Sequence, residues 1–278
     1  MESVAVIGAG GMLGYAVSEF FAQRGYGVRR ITRKEYDITK HPFAALERLL
    51  ADVNVVINCA GVIKPQIAAN STEDVMRVNA VFPRNLATFC KGMNIKCFHV
   101  TTDCVYSGSK GRYSEDDVFD AEDLYGLSKN AGEPMNCMTL RTSIIGEERG
   151  QSRSLVEWAR SQQGNGVNGF VNHFWNGVTT LHLAEVIEKI IRHDMYTEGI
   201  YHLHSPNALS KKELLEAIDM VYELGLTVRP AEAPQFCDRT LGSIYSFSTL
   251  LCTKTIQMQL FEMKEFFELA NAPSLAEL

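Results

Sequence analysis

The 278-residue sequence predicts an α/β chain, a doubly wound parallel sheet with a small, mixed C-terminal lobe. Three observations carry this prediction. Short apolar runs alternate with stretches of helical apolar spacing from the start of the chain to about residue 141. A glycine-rich turn at residues 8–14 follows the first run at once and leads into a helix pattern. The runs at 53–58 (VNVVIN) and 95–100 are almost wholly apolar, as strands buried on both faces are.

Taken in order, residues 3–7 form the first strand and Gly8-Ala-Gly-Gly-Met-Leu-Gly14 the turn after it. Glycine allows positive φ and close backbone approach, and the N–H groups that open the next helix (15–23) suit a pyrophosphate. Gly8, Gly11 and Gly14 are therefore dinucleotide-binding candidates. The second strand, 27–32, ends in Thr32-Arg33-Lys34 instead of the acidic residue that would accept from ribose hydroxyls. A hydroxyl and two cations suit a 2′-phosphate, which favours NADPH and leaves NADH open; Asp37 and Ile38 would flank the adenine. A helix at 43–50 leads to the 53–58 strand, whose end, Cys59-Ala60-Gly61, is small enough for a cofactor to approach. A helix at 71–90 contains Asn79, and the 95–100 strand runs into Thr101-Thr102-Asp103. The order β-α-β-α-β-α-β is that of a Rossmann-type sheet with ligands at the strand C-termini.

Residues 115–123 pack six carboxylates into nine positions and read as a solvated loop whose acids set its own fold. The helix at 124–134 carries Tyr125-x-x-x-Lys129, a spacing that puts both side chains on one face. An ammonium beside a phenol favours phenolate, so Lys129 is expected to depress the Tyr125 pKa and suit it to proton transfer. A strand at 136–141 follows. Beyond Ser143, loops at 146–150 and 164–169 bracket a helix at 154–163. Helices at 180–192, 210–224 and 254–269 and a strand at 199–204 complete the pattern. The division expected is 1–143 for the dinucleotide-binding domain, with the 180–204 helix and strand returning to it, and 144–278 for the lobe.

Bulk properties exclude several classes. A formal net charge of −6 argues against general nucleic-acid binding, and no apolar run is long enough to span a bilayer. Seven scattered cysteines, odd in number and without Cys-x-x-Cys, predict reduced thiols in a cytoplasmic protein. The seven histidines have no metal-ligand spacing, and no metal is expected.

With these motifs in order, the chain resembles the dTDP-4-dehydrorhamnose reductase family of extended short-chain dehydrogenases/reductases. The similarity runs through GAGGMLG, DIT at 37–39, NCAGV at 58–62, VTTDCVYSG at 100–108, YGLSKNAGE at 125–133 and LRTS at 140–143. It implies NADPH-dependent reduction of the 4-keto group of a nucleoside-diphosphate 4-keto-6-deoxy sugar. It also implies roles. Gly8, Gly11 and Gly14, with Met12 and Leu13, would hold the pyrophosphate. Cys59, Ala60, Gly61 and Asn79 would line the adenosine and ribose region, with Thr101 nearby. Thr102 would bond the substrate carbonyl, Tyr125 protonate it, and Lys129 hold the nicotinamide ribose. Val62, Asp103, Cys104, Ser152, Arg153, Trp175 and Arg239 fall on the substrate side, the arginines as diphosphate contacts. Cys104 stands where related dehydratases carry an acid, so elimination of water is not expected. An epimerase with retained NAD and a non-catalytic regulatory subunit are the competing readings; a homodimer is left open.

Overall fold

The computed structural model describes residues 2–148 and 154–271. β1 (Ser3–Ile7), β2 (Gly27–Ile31), β3 (Val55–Asn58), β4 (Lys96–Thr102) and β5 (Met138–Thr142) lie in one parallel sheet. A sixth strand, Gly199–His202, joins β5, so the order across the sheet is sixth-β5-β4-β3-β1-β2. Successive side chains of a strand point to opposite faces, and β1 shows the consequence. Val4 and Val6 enter one core with Phe20, Ile187 and Ile190, whereas Ala5 and Ile7 enter the other with Leu46 and Leu86.

The first core is covered by α1 (Met12–Gln23), α7 (Thr180–Arg192) and α10 (Ile256–Asn271), the second by α2 (Phe43–Leu49) and α4 (Phe82–Gly92). The helix expected at 71–90 is made of three parts. α3 (Thr72–Met76) passes through a π-helical turn, Arg77–Val81, into α4. Pro83 has no N–H to give to the carbonyl four residues back, that of Asn79, so regular α-geometry lacks a bond there. That carbonyl instead faces α5 (Leu124–Ala131): a Cβ on Gly132 would lie 1.8 Å from it.

The lobe contains two small sheets and a two-residue strand pair. His173–Trp175 pairs with Leu209–Ser210 and Cys237–Asp238, Gly166–Phe170 with Thr227–Ala231, and Ile144–Ile145 with Val178–Thr179. The stretch expected as a loop at 164–169 is thus mostly strand. Gly164 turns the chain with φ +75°, whereas Gly169 serves close packing: a Cβ on it would come within 2.6 Å of the Lys212 Cα on α8 (Lys211–Tyr222). The lobe helices also include α6 (Leu155–Ser161) and α9 (Phe247–Leu251). All seven cysteines are free. Among the described residues no helix is long and apolar enough to cross a membrane.

Candidate active site

The cofactor end of the site is set by the first glycine turn. Gly8 has φ +80°, and a Cβ there would strike the Ala60 backbone at 2.8 Å. A Cβ on Gly14 would lie 2.2 Å from the Gly8 carbonyl oxygen, so these two glycines let α1, β1 and the end of β3 approach one another. Gly11 differs: its Cβ position is 3.4 Å from the nearest outside atom, leaving the turn open above it. α1 begins at Met12 with no acidic residue in its first turn. Its orphan N–H groups and macrodipole therefore face an open, glycine-lined turn, the donor set a pyrophosphate needs.

At the end of β2 the expected phosphate site is already partly engaged. The Glu35 carboxylate accepts from the Thr32 N–H (2.8 Å) and hydroxyl (2.6 Å), and those bonds lower its pKa. Thr32 thus spends its hydroxyl on Glu35, correcting its expected donation to a 2′-phosphate; Arg33 and Lys34 stand beside it as exposed cations. Asp37 folds onto its own turn, accepting from the Thr39 N–H (3.0 Å) and hydroxyl (2.7 Å), and Ile38 packs against Val62 and Val75.

β3 ends in a pinned turn. Asn58 donates to His99 Nδ1 (3.0 Å) and accepts from the Ala60 N–H (3.1 Å), which holds Cys59-Ala60-Gly61 at the sheet edge. Burial pushes the Cys59 thiol up to about 12, so it stays protonated. Asn79 does not line this region as expected. It is wholly buried behind it, accepting from the Val62 N–H (2.8 Å) and donating to the Val62 carbonyl (3.0 Å) and the Ser128 hydroxyl (3.1 Å). Its role is to fix the 61–62 backbone against α5.

β4 extends two residues further than its apolar run, so Thr101 and Thr102 are strand residues paired with Arg141 and Thr142. The Thr101 hydroxyl is buried with no hydrogen-bond partner among the described residues. Thr102 Oγ1 accepts from the Cys104 N–H (3.1 Å) and donates to Asp103 (3.2 Å). Across from it, Asp123 caps α5 by accepting from the Gly126 N–H (2.8 Å). Gly126 is required there, because a Cβ would lie 2.5 Å from the Cys104 carbonyl oxygen. This contact brings Tyr125 beside Thr102, Asp103 and Cys104.

The electrostatics differ from the expected phenol–ammonium pair. Burial, followed by Cys104, pushes the Tyr125 phenol above its ordinary range, while a hydrogen bond with Thr102 pulls the other way. Burial outweighs the depression expected from Lys129. Its buried ammonium donates to the Val100 carbonyl (3.2 Å) and lies toward Gly61, and burial lowers its own pKa to about 8. Spacing alone gave the shared helix face but not the burial that dominates both groups. Burial also pushes Cys104 up to about 12, which makes it a neutral packing thiol.

Behind α5 lies an ionic network that the sequence reading missed. Arg141 donates to both oxygens of Glu133 (3.0 and 2.5 Å), to Tyr106 Oη (2.9 Å) and to His202 Nε2 (2.6 Å). His202 Nδ1–H can then donate to the Gly242 (2.8 Å) and Tyr113 (3.1 Å) carbonyls, while its N–H donates to Glu115 (2.7 Å). Glu115 therefore belongs to a half-buried cluster and not to a solvated loop. The LRTS arginine, the one charged residue in a strand buried throughout, was the available signal.

On the substrate side, a cavity of about 120 Å³ lies between Met12, Ser143–Ile145 and the lobe residues Trp175, Lys211 and Leu214. Trp175 is buried and forms a wall. Arg239 donates from Nε to the Tyr106 carbonyl (2.8 Å), which places its charge near Asp103 and Cys104. Val62 is buried in a satellite core instead of exposed to a ligand. Ser152 and Arg153 lie outside the described residues. Lys211, absent from the sequence-based set, lines the cavity itself.

The chain is similar to known proteins. The chain is 36% identical over 135 residues to a dTDP-4-dehydrorhamnose reductase of Mycolicibacterium smegmatis, a match covering 48% of this chain and 40% of that one. The matched stretch thus spans less than half of that relative. The Bacillus subtilis spore coat polysaccharide biosynthesis protein SpsK is 25% identical over 260 residues, 88% of each chain. A Bacillus anthracis dTDP-4-dehydrorhamnose reductase solved with NADP superposes with a TM-score of 0.79 at 20% identity, covering 96% and 99% of the two chains, and so shares the fold. The model of the RmlD substrate binding domain family matches residues 1–272, and the chain belongs to that family.

Proposed function

We propose that this chain reduces the 4-keto group of a nucleoside-diphosphate 4-keto-6-deoxy sugar with NADPH, in deoxysugar biosynthesis in the cytoplasm. The observation that carries the reading is the convergence of Thr102, Tyr125 and Lys129 at the end of β4. The relatives named as reductases of dTDP-linked keto sugars support the substrate class.

When bound, the reduced nicotinamide supplies a hydride to the keto carbon. Gly8, Gly11, Gly14 and the start of α1 would hold its pyrophosphate, and the Cys59–Gly61 turn its ribose side. Thr102 donates to the carbonyl oxygen and polarises it. As negative charge develops on that oxygen, Tyr125 transfers its phenolic proton there, giving the alcohol. A phenol held above its ordinary pKa is fully protonated at neutral pH, the state a reductive step requires. Lys129, whose ammonium already lies toward Gly61, holds the ribose and offsets the phenolate left on Tyr125.

The test is isotope transfer. With 4-deuterated NADPH and a dTDP-4-keto-6-deoxyhexose, one deuterium should appear at sugar carbon 4, with one NADPH consumed per product. Epimerised sugar without net NADPH consumption would establish the epimerase reading instead.

A further inference from the structure

Among the described residues Lys211 is the one charged side chain lining the cavity, whose other walls are Met12, Ser143–Ile145, Ser154, Leu155, Trp175 and Leu214. Its ammonium sits 5.9 Å from the centre of the Trp175 ring. Among the described residues it forms no hydrogen bond and no ion pair within 4 Å, although Asp103 is near enough to act on it. The next residue behaves differently: Lys212 pairs with Glu216 at 2.5 Å.

The placement is rigid. Ser210 and Glu213 form a capping box that fixes the first turn of α8, Ser210 pairs with Phe174 in the small sheet, and Leu214 one turn on is buried against the same cavity. A lysine held this way, with no hydrogen-bond or ion-pair partner among the described residues, is a donor directed at something else. An aromatic wall with a cation over it suits a hexose, which offers C–H groups to the ring and oxygens to the ammonium. Asp103, the neighbour of Thr102, is near enough to act on Lys211, so this end of the cavity lies toward the Thr102–Tyr125 pair, where the reacting sugar carbon has to come. The diphosphate has a separate cation, Arg239.

We infer that Lys211 is a specificity-determining residue that donates a hydrogen bond to the hexose of the nucleotide sugar, holding it between Trp175 and the Met12 turn. The inference rests on the nucleotide-sugar reading but not on the direction or chemistry of the reaction.

The experiment is calorimetric titration of the full chain, loaded with NADP⁺, with a dTDP-linked 6-deoxyhexose and separately with dTDP. Wild type, Lys211→Met and Lys211→Arg are compared, with their melting temperatures. Lys211→Met should lose about 10–100-fold in affinity for the nucleotide sugar, the range of a charge-assisted hydrogen bond, and bind dTDP as wild type does. Lys211→Arg should recover part of the loss. An equal loss for dTDP, which would make Lys211 a diphosphate contact or a structural residue, overturns the inference; so does no loss. Wild-type turnover of a keto sugar is scored separately. Sugar-dependent binding without turnover defeats the reductase reading and leaves Lys211 standing, whereas a wild type that binds no nucleotide sugar defeats both.

Discussion

At neutral pH the Tyr125 phenol keeps its proton, because burial beside Cys104 and Asp103 disfavours the phenolate. The same desolvation keeps Cys104 a thiol. Iodoacetamide at pH 7.5 (about 4–5 units below its pKa) should therefore leave Cys104 unmodified over an hour by mass spectrometry. Rapid alkylation there would show a thiolate. A second residue, Glu35, stands where the 2′-phosphate is proposed to bind. Glu35 is exposed, ionised and bonded to Thr32, so a 2′-phosphate beside Arg33 and Lys34 meets a like charge. Glu35→Gln keeps the bonding capacity and removes the charge. The ratio of kcat/KM for NADPH over NADH should rise about 3–10-fold, the size of one exposed charge acting at short range in salt. An unchanged ratio would move the 2′-phosphate away from Thr32.

At the scale of elements, α5, the helix that carries Tyr125 and Lys129, is held at both ends by contacts that only particular residues allow. Gly126 meets the Cys104 carbonyl at its start, and Gly132 meets the Asn79 carbonyl in the π-turn at its end. Arg141 and Glu133, both almost wholly buried, then tie the segment after α5 to β5. Removing one partner of such a pair strands the other charge, so Arg141→Met should cost about 3–5 kcal/mol in urea unfolding. Arg141→Met combined with Glu133→Met should cost less than the single change. If the double variant is the weaker by the sum of two full penalties, the pair is not coupled as described. Gly132→Ala should destabilise by about 1–3 kcal/mol or more, because neither backbone can yield 1 Å freely.

Across the whole molecule, His202 joins the sheet to the lobe: it is a strand residue whose ring reaches Gly242 and whose N–H reaches Glu115. Burial and the Arg141 charge lower its pKa to about 4. A histidine depressed in the folded state is neutral there while its unfolded counterpart binds a proton. Stability should therefore be unaffected above about pH 6.5 and fall as pH drops from there toward about 4. Differential scanning calorimetry of wild type and His202→Gln across that window tests it. A wild-type decline no steeper than the variant's would remove His202 as its source.

The parallel sheet was legible because its strands are continuous apolar runs separated by helical periodicity, as at Val55–Asn58 and Lys96–Thr102. The lobe was less legible: its strands are short, and Gly169 signals close packing with the same residue type that signals a loop. Tyr125 and Lys129 stood out by their spacing and Thr102 by the family resemblance, but the protonation of Tyr125 and Lys129 had no signal, since burial has no linear signature. Lys211 stayed hidden because helix periodicity does not say that a first-turn lysine opens onto a cavity in place of solvent.

The most direct measurement is the rate of NADPH oxidation with a panel of nucleoside-diphosphate 4-keto-6-deoxyhexoses, for wild type and Tyr125→Phe. Turnover by wild type on at least one member, falling about 10²–10⁴-fold in the variant while NADPH binding is retained, is the predicted result. NADPH binding with no turnover on any member, or a variant as fast as wild type, would contradict the account.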